Sequence, residues 1–113
     1  MTTEVTQHDS VVVARVAGRV DAYTSPALDQ AVAGLPGAGR HLVLDLSGTD
    51  YMSSAGLRVL LGLAKRARAE GFQLRLSGLA ASVSEVLEIA GFVPLFEIRE
   101  SEASALAELA AGG

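Results

Sequence analysis

The sequence predicts an α/β fold, a mixed sheet of four to five strands with about four helices packed on it. Three observations carry this reading. Apolar runs of strand length recur along the chain, with β-branched residues densest in the first. Between them lie stretches whose apolar residues repeat at i, i+3, i+4 and i+7, the spacing of one helical face. Serine, proline and glycine fall where such helices would start and stop. The order is strand, strand, helix, strand, helix, strand, helix, strand, helix. That alternation places helices against a central sheet that is mixed at its N-terminal edge.

Each element has its own warrant. Residues 11–16 form a β-branched run broken by Gly18, and residues 4–7 make a shorter strand able to pair with it through a turn at His8-Asp9. Ser25-Pro26 reads as an N-cap followed by proline at the first helical position, opening a helix over 26–35 with Leu28, Ala31, Val32 and Leu35 inward. Residues 42–46 are apolar until Asp45, as in a strand covered on both faces. A loop over 47–53 then leads into a long helix over 55–70, with Leu57, Leu60, Leu61, Ala64 and Ala67 as its stripe and Gly71 as its stop. Residues 73–77 are a third core strand. Ser82 and Glu85 have capping-box spacing at the head of a helix over 83–90, stopped by Gly91 and Pro94. Residues 95–98 form an edge strand. Residues 103–110 form a last helix, with the Gly112-Gly113 end expected to fray.

Composition narrows the function. At 113 residues the chain is one domain's worth, 1–113, against a prior of about 100–200 residues per domain. Nine basic and thirteen acidic residues give a net charge of −4, which argues against a nucleic-acid surface. Without cysteine there is no disulfide framework, thiolate nucleophile or cysteine zinc site. The start has no basic n-region or apolar h-region, and no apolar stretch nears the roughly 20 residues that span a bilayer. A cytoplasmic protein with no direct membrane insertion is expected.

Chemistry-bearing motifs are sparse. Neither phosphate-cradling glycine loop occurs, Ser54 lies in no G-x-S-x-G elbow, and His8 and His41 sit at strand edges. The reading is therefore not an enzyme, with no catalytic residue, no metal site and no cofactor. One segment stands out, running from Asp45 to Arg58. Ser53 or Ser54 stands at the head of the long helix, as a plain N-cap or as something more. Neither has Glu or Gln three residues on, since Gly56 and Leu57 stand there, so no capping box competes for the first-turn N–H groups. Gly56 reads as leaving the backbone open to close approach. Such a terminus suits an anion, including a phosphate on its own cap residue.

Asp45-Leu46-Ser47, the stretch Tyr51-Met52-Ser53-Ser54-Ala55-Gly56-Leu57 and the following Val59-Leu60-Leu61 resemble the STAS domain of bacterial anti-sigma factor antagonists. Gly18-Arg19-Val20-Asp21 resembles the family's early Gly-x-apolar-Asp. The run from Val86 to Phe92, with Leu95-Phe96, resembles its penultimate helix and last strand. The resemblance covers nearly the whole chain and implies the STAS fold. It also implies a protein that, unphosphorylated, binds an anti-sigma factor serine kinase of histidine-kinase-like ATPase fold and releases the sigma factor. Phosphorylation would inactivate it, and a metal-dependent serine phosphatase would reverse the mark. Aligned on Gly56-Leu57, Ser54 takes the acceptor position and Ser53 replaces the family's aspartate, which makes Ser53 the alternative acceptor. A non-phosphorylated STAS subunit of a lipid-transport or signalling assembly is the other reading within the fold.

The remaining candidates carry two readings each. Asp21 borders the partner surface or caps a turn. Asp45 orients the serine loop or only stabilises it. Arg58, one turn beyond Ser54 on the same helix face, meets a phosphate or an acidic partner, or is an ordinary exposed residue. Met52 and Tyr51 form an apolar contact patch or cover the core.

Overall fold

The first two strands form a hairpin, β1 (Thr2–His8) antiparallel to β2 (Val11–Val20), turned by Asp9-Ser10 with Asp9 at φ 54°. A computed structural model describes residues 1–112 of the chain. The chain continues through α1 (Ser25–Ala33), β3 (His41–Met52), α2 (Ser54–Glu70), β4 (Leu74–Ser77), α3 (Ala81–Ala90), a 3-10 turn (Val93–Leu95), β5 (Ile98–Arg99) and α4 (Glu102–Gly112). The sheet order is β1-β2-β3-β4-β5, parallel everywhere except between β1 and β2. The mixed five-stranded sheet and four helices are those the sequence predicts.

Alternation along the strands divides the side chains between two faces. Val12, Ala14 and Val16 of β2 and Leu42, Leu44 and Leu46 of β3 point towards α1, α2 and α3 and form the main core with Leu28, Leu60 and Leu87. Each of these fully buried leucines contributes about 1.5–3 kcal/mol. Val11, Val13 and Val43 point the other way, against Ala105 and Leu109 of α4.

The elements differ from expectation where tertiary contacts override local signals. β2 is not broken at Gly18. That residue adopts φ 96° at a register shift against β3, and the strand runs on to Val20. The expected loop over 47–53 is strand up to Met52, because its backbone pairs with residues 17–20 of β2 and the buried Thr49 hydroxyl donates to Val16 O at 2.8 Å. Helix α1 starts at Ser25 with Thr24 as its N-cap residue, and it ends at Ala33 rather than at 35. In α2 the buried stripe is Gly56, Leu57, Leu60 and Leu63, so Leu61 sits half-buried beside it. The Ser82–Glu85 capping box does not form. Ala80 is the N-cap residue, its carbonyl accepts from Ser84 N at 2.9 Å, and the Ser82 hydroxyl donates to Asp50 O at 3.2 Å. Pro94 opens a 3-10 turn where an edge strand is expected, which delays β5 to Ile98. α4 includes Gly112, and the rest of the expected frayed end, Gly113, lies outside the described residues.

Helix α4 is fastened by ion pairs as well as by apolar contact. Arg15 donates to both Glu102 oxygens at 2.6 and 2.7 Å, and Arg99 and Arg75 both donate to Glu108 at 2.6–2.9 Å. The hydrogen bonds from Arg99 and then Arg75 hold the Glu108 carboxyl down at about 2, against an ordinary 4.5. A carboxyl lowered in the folded state stabilises above its unfolded value and loses that contribution as the pH falls towards the folded value. Protection of the α4 amides, relative to the intrinsic exchange rate at each pH, is therefore expected to fall between pH 4.5 and about 2. Glu108→Gln should flatten that dependence, and an unchanged profile in the variant would contradict the assignment.

Candidate functional site

The C-terminal ends of β2 and β3 lie side by side and carry the two segments that build the site. Val20 pairs with Met52 in the parallel register, and Ser53 N–H donates to Val20 O at 2.9 Å. The start of α2 and the loop between β2 and α1 are thereby joined at the same edge of the fold.

Ser53 is the N-cap of α2. Its backbone is extended, φ −90° and ψ 176°, its hydroxyl oxygen accepts from Ala55 N–H at 3.2 Å, and its carbonyl accepts from Leu57 N–H at 3.0 Å. Ser54 is the first helical residue and is exposed. The N–H groups of Ser54 and Gly56 have no acceptor within the helix. No acidic residue stands in the first turn. An exposed hydroxyl is thus presented at the positive end of a 17-residue helix.

Gly56 has a different role from the one its sequence context implies. It is buried, and a Cβ there would lie 2.8 Å from both Met52 Cγ and Val20 Cγ1. Glycine is needed because the first turn of α2 presses directly on the ends of β2 and β3. It opens the helix to the sheet and not to a ligand. Met52, 2% exposed, and Leu57, 6% exposed, are core residues under that turn and form no contact patch. They fix the height of Ser54.

Arg58 is exposed, as the periodicity implies, four residues after Ser54. It lines a shallow groove of about 380 Å³ with Ser25, Pro26 and Asp29 of α1 and Val59. Asp21 caps a turn. Its Oδ1 accepts from the N–H groups of Tyr23 and Thr24 at 2.9 and 3.1 Å, and its Oδ2 accepts from Arg19 Nε at 3.0 Å. The Thr24 N–H, then the Tyr23 N–H and the Arg19 guanidinium, hold the Asp21 carboxyl below the usual carboxylate range. The loop ahead of α1 is thereby stiffened next to the serines.

Asp45 does not belong to this constellation. It sits within β3, eight residues before Ser53, because the strand continues past the point where the sequence implies an end. Its carboxylate is buried and accepts from Ser47 Oγ at 2.6 Å and Ser77 Oγ at 2.8 Å, which ties β3 to β4 on the α4 side of the sheet.

Two features at the site are not legible in the sequence. Tyr23 is 93% exposed on the Asp21 turn, an aromatic ring held out by a rigid loop. The Arg19 guanidinium lies 3.9 Å from the centroid of the Tyr51 ring, a stack that exists only because β2 and β3 place these two residues opposite each other. Neither histidine approaches the serines. His41 begins β3 and accepts from Gln73 N–H, and His8 lies on the Thr6 hydroxyl in β1. Among the described residues no three His, Asp or Glu side chains converge as metal ligands would, and no helix is long and apolar enough to cross a membrane.

Comparison with known proteins agrees with this fold. The model of the STAS domain family matches residues 2–105. BtrV of Bordetella bronchiseptica, named as an anti-sigma factor antagonist, is 39% identical over 88% of this chain and 86% of its own. The crystal structure of an anti-sigma factor antagonist from Mycobacterium paratuberculosis is 30% identical, covers 95% of this chain and 92% of its own, and superposes with a TM-score of 0.77. The Bacillus cell fate determinant SpoIIAA in its phosphorylated form shares the fold, with a TM-score of 0.72 at 16% identity over 96% of this chain and 99% of its own.

Proposed function

The chain belongs to the STAS domain family, and on that footing we propose that it is an anti-sigma factor antagonist switched by phosphorylation of Ser54. The observation that carries the reading is the exposed Ser54 hydroxyl at the head of α2, set on a first turn that Gly56, Met52 and Val20 hold rigidly. Unmodified, this end of the protein binds an anti-sigma factor that is also a serine kinase of histidine-kinase-like ATPase fold, and the sigma factor is released. The kinase transfers the γ-phosphoryl group of ATP to Ser54 Oγ, with ADP leaving and the hydroxyl proton passing to the kinase. A metal-dependent serine phosphatase hydrolyses the ester and resets the switch.

The physics of the switch is local. A phosphate adds about −1.5 to −2 charge. Within this chain that charge is favoured by about 0.3–1 kcal/mol at the helix N-terminus, so the fold survives it. The persistence of the SpoIIAA fold in a phosphorylated form supports this tolerance. Against a partner surface fitted to a neutral hydroxyl, the same charge must be desolvated without a counter-charge, which costs several kcal/mol. The Asp21 turn, Tyr23 and Arg58 extend the partner-facing surface around Ser54, while Met52, Gly56 and Leu57 support it from beneath.

The test is capture of the partner on the chain from the native cell extract, followed by incubation with ATP and mapping of the phosphate. Ser54→Ala is expected to abolish phosphorylation while the partner is still captured, and Ser53→Ala to remain a substrate. If Ser53→Ala alone removes the phosphate, the acceptor is one residue earlier. Recovery of membrane transport subunits with no phosphate on either serine would replace this reading with that of a non-phosphorylated STAS subunit of a transport or signalling assembly.

A further inference from the structure

The two edges of the sheet are finished differently. At one edge β5 is two residues long, and Arg99 folds over it to pair with Glu108 and Glu97. At the other edge β1 has seven residues, none of them buried, in unbroken one-to-one register with β2. Its sequence, Thr2-Thr3-Glu4-Val5-Thr6-Gln7-His8, has no proline, glycine, lysine or bulge, the usual devices that keep an open edge from pairing. The single carboxylate, Glu4, is engaged by Arg15 of its own chain at 3.0 Å. Among the described residues the substantial helix–sheet contacts all go to β2, β3, β4 and β5, and none to β1.

We propose that β1 pairs antiparallel with β1 of a second copy of this chain, about a two-fold axis at Val5, joining two five-stranded sheets into one. The register is self-complementary. Val5 meets Val5, Glu4 meets Thr6, Thr3 meets Gln7 and Thr2 meets His8, so no like charges stand directly opposite. Val5 lies on the face of its partner Ala14 and is 45% exposed in the isolated chain, and the axis buries it against its own copy. The unpaired N–H and C=O groups along the outer side of β1 become ladder hydrogen bonds. A two-fold contact of this kind closes on itself, so it yields a dimer and not a fibre. The serine site is built from the C-terminal ends of β2 and β3, and its residues are no part of this contact.

The test is sedimentation equilibrium of the full chain over a concentration range reaching about 1 mM, the weak end of the affinity scale. The wild type is expected to approach twice its 11.6 kDa mass as concentration rises. Val5→Lys places two ammonium groups across the axis and should weaken dimerisation by more than about tenfold, whereas Val5→Ile should keep it. Amide exchange of the wild type, which needs no substitution, should show alternate β1 amides slowing as concentration rises. A wild type that stays monomeric throughout, a dimer indifferent to Val5→Lys, or β1 amides insensitive to concentration would each overturn the proposal. A wild type that remains monomeric while β1 amides are protected by an added extended peptide would assign the edge to another protein's strand instead.

Discussion

Ser54→Asp is expected to weaken binding of the anti-sigma factor at least tenfold, about 1.4 kcal/mol, with no loss of fold. The substitution places a carboxylate where the phosphate would stand, at the first residue of α2. Within the chain the added charge faces the positive end of the helix and an exposed surface, so the melting temperature should hold or rise slightly. In the complex the same carboxylate loses its water and finds no partner built for it. A carboxylate carries about one charge against a phosphate's −1.5 to −2, so the aspartate variant sets a lower bound on the effect of phosphorylation. Titration of the partner with wild type, Ser54→Asp and Ser54→Asn separates charge from shape. Asparagine should bind nearly as well as serine.

Gly56→Val should lower stability by about 3 kcal/mol, the upper end of the cost of overpacking a close-packed site. A Cβ at 2.8 Å from Met52 Cγ and Val20 Cγ1 meets two core side chains at once, and the valine branches leave no room for either to yield. In melting temperature this is roughly 10–15 °C for a chain of this size. Gly56→Ala should cost less, because alanine recovers about 1 kcal/mol of helix propensity as it crowds the same contact. Both variants lift the first turn of α2 off the sheet, so partner binding should fall with stability. If Gly56→Val melted like the wild type, the tight contact beneath Ser54 would be wrong.

The contrast between Gly56 and Ser54 shows where the sequence can and cannot be read. The order of strands and helices was legible because apolar periodicity reports burial directly. Leu28 and Val32 in α1, and Leu57 and Leu60 in α2, are buried as their spacing implies. The serine at the head of α2 was legible for the same reason, since the strand and the helix stripe bracket it. Boundaries set by long-range contact were not. Polar Ser47, Gly48, Thr49 and Asp50 look like a loop, and only their pairing with β2 makes them strand. By its sequence context Asp45 ends a strand beside the serines, whereas its hydroxyl partners come from β3 and β4. The Ser82–Glu85 spacing lost to a helix that starts earlier, at Ala81 with Ala80 as its N-cap residue, on backbone hydrogen bonds alone. Tyr23 and the Arg19–Tyr51 stack left no local trace, since no periodicity marks a side chain that faces solvent.

A phosphate on Ser54 is expected to switch partner binding without disturbing the fold. The most direct measurement is a calorimetric titration of the anti-sigma factor with one preparation of the chain, before and after stoichiometric phosphorylation mapped to Ser54. The phosphorylated chain is expected to bind at least tenfold more weakly, with superimposable circular dichroism and an equal or slightly higher melting temperature. Equal affinities for the two forms, with the phosphate confirmed on Ser54, would contradict it.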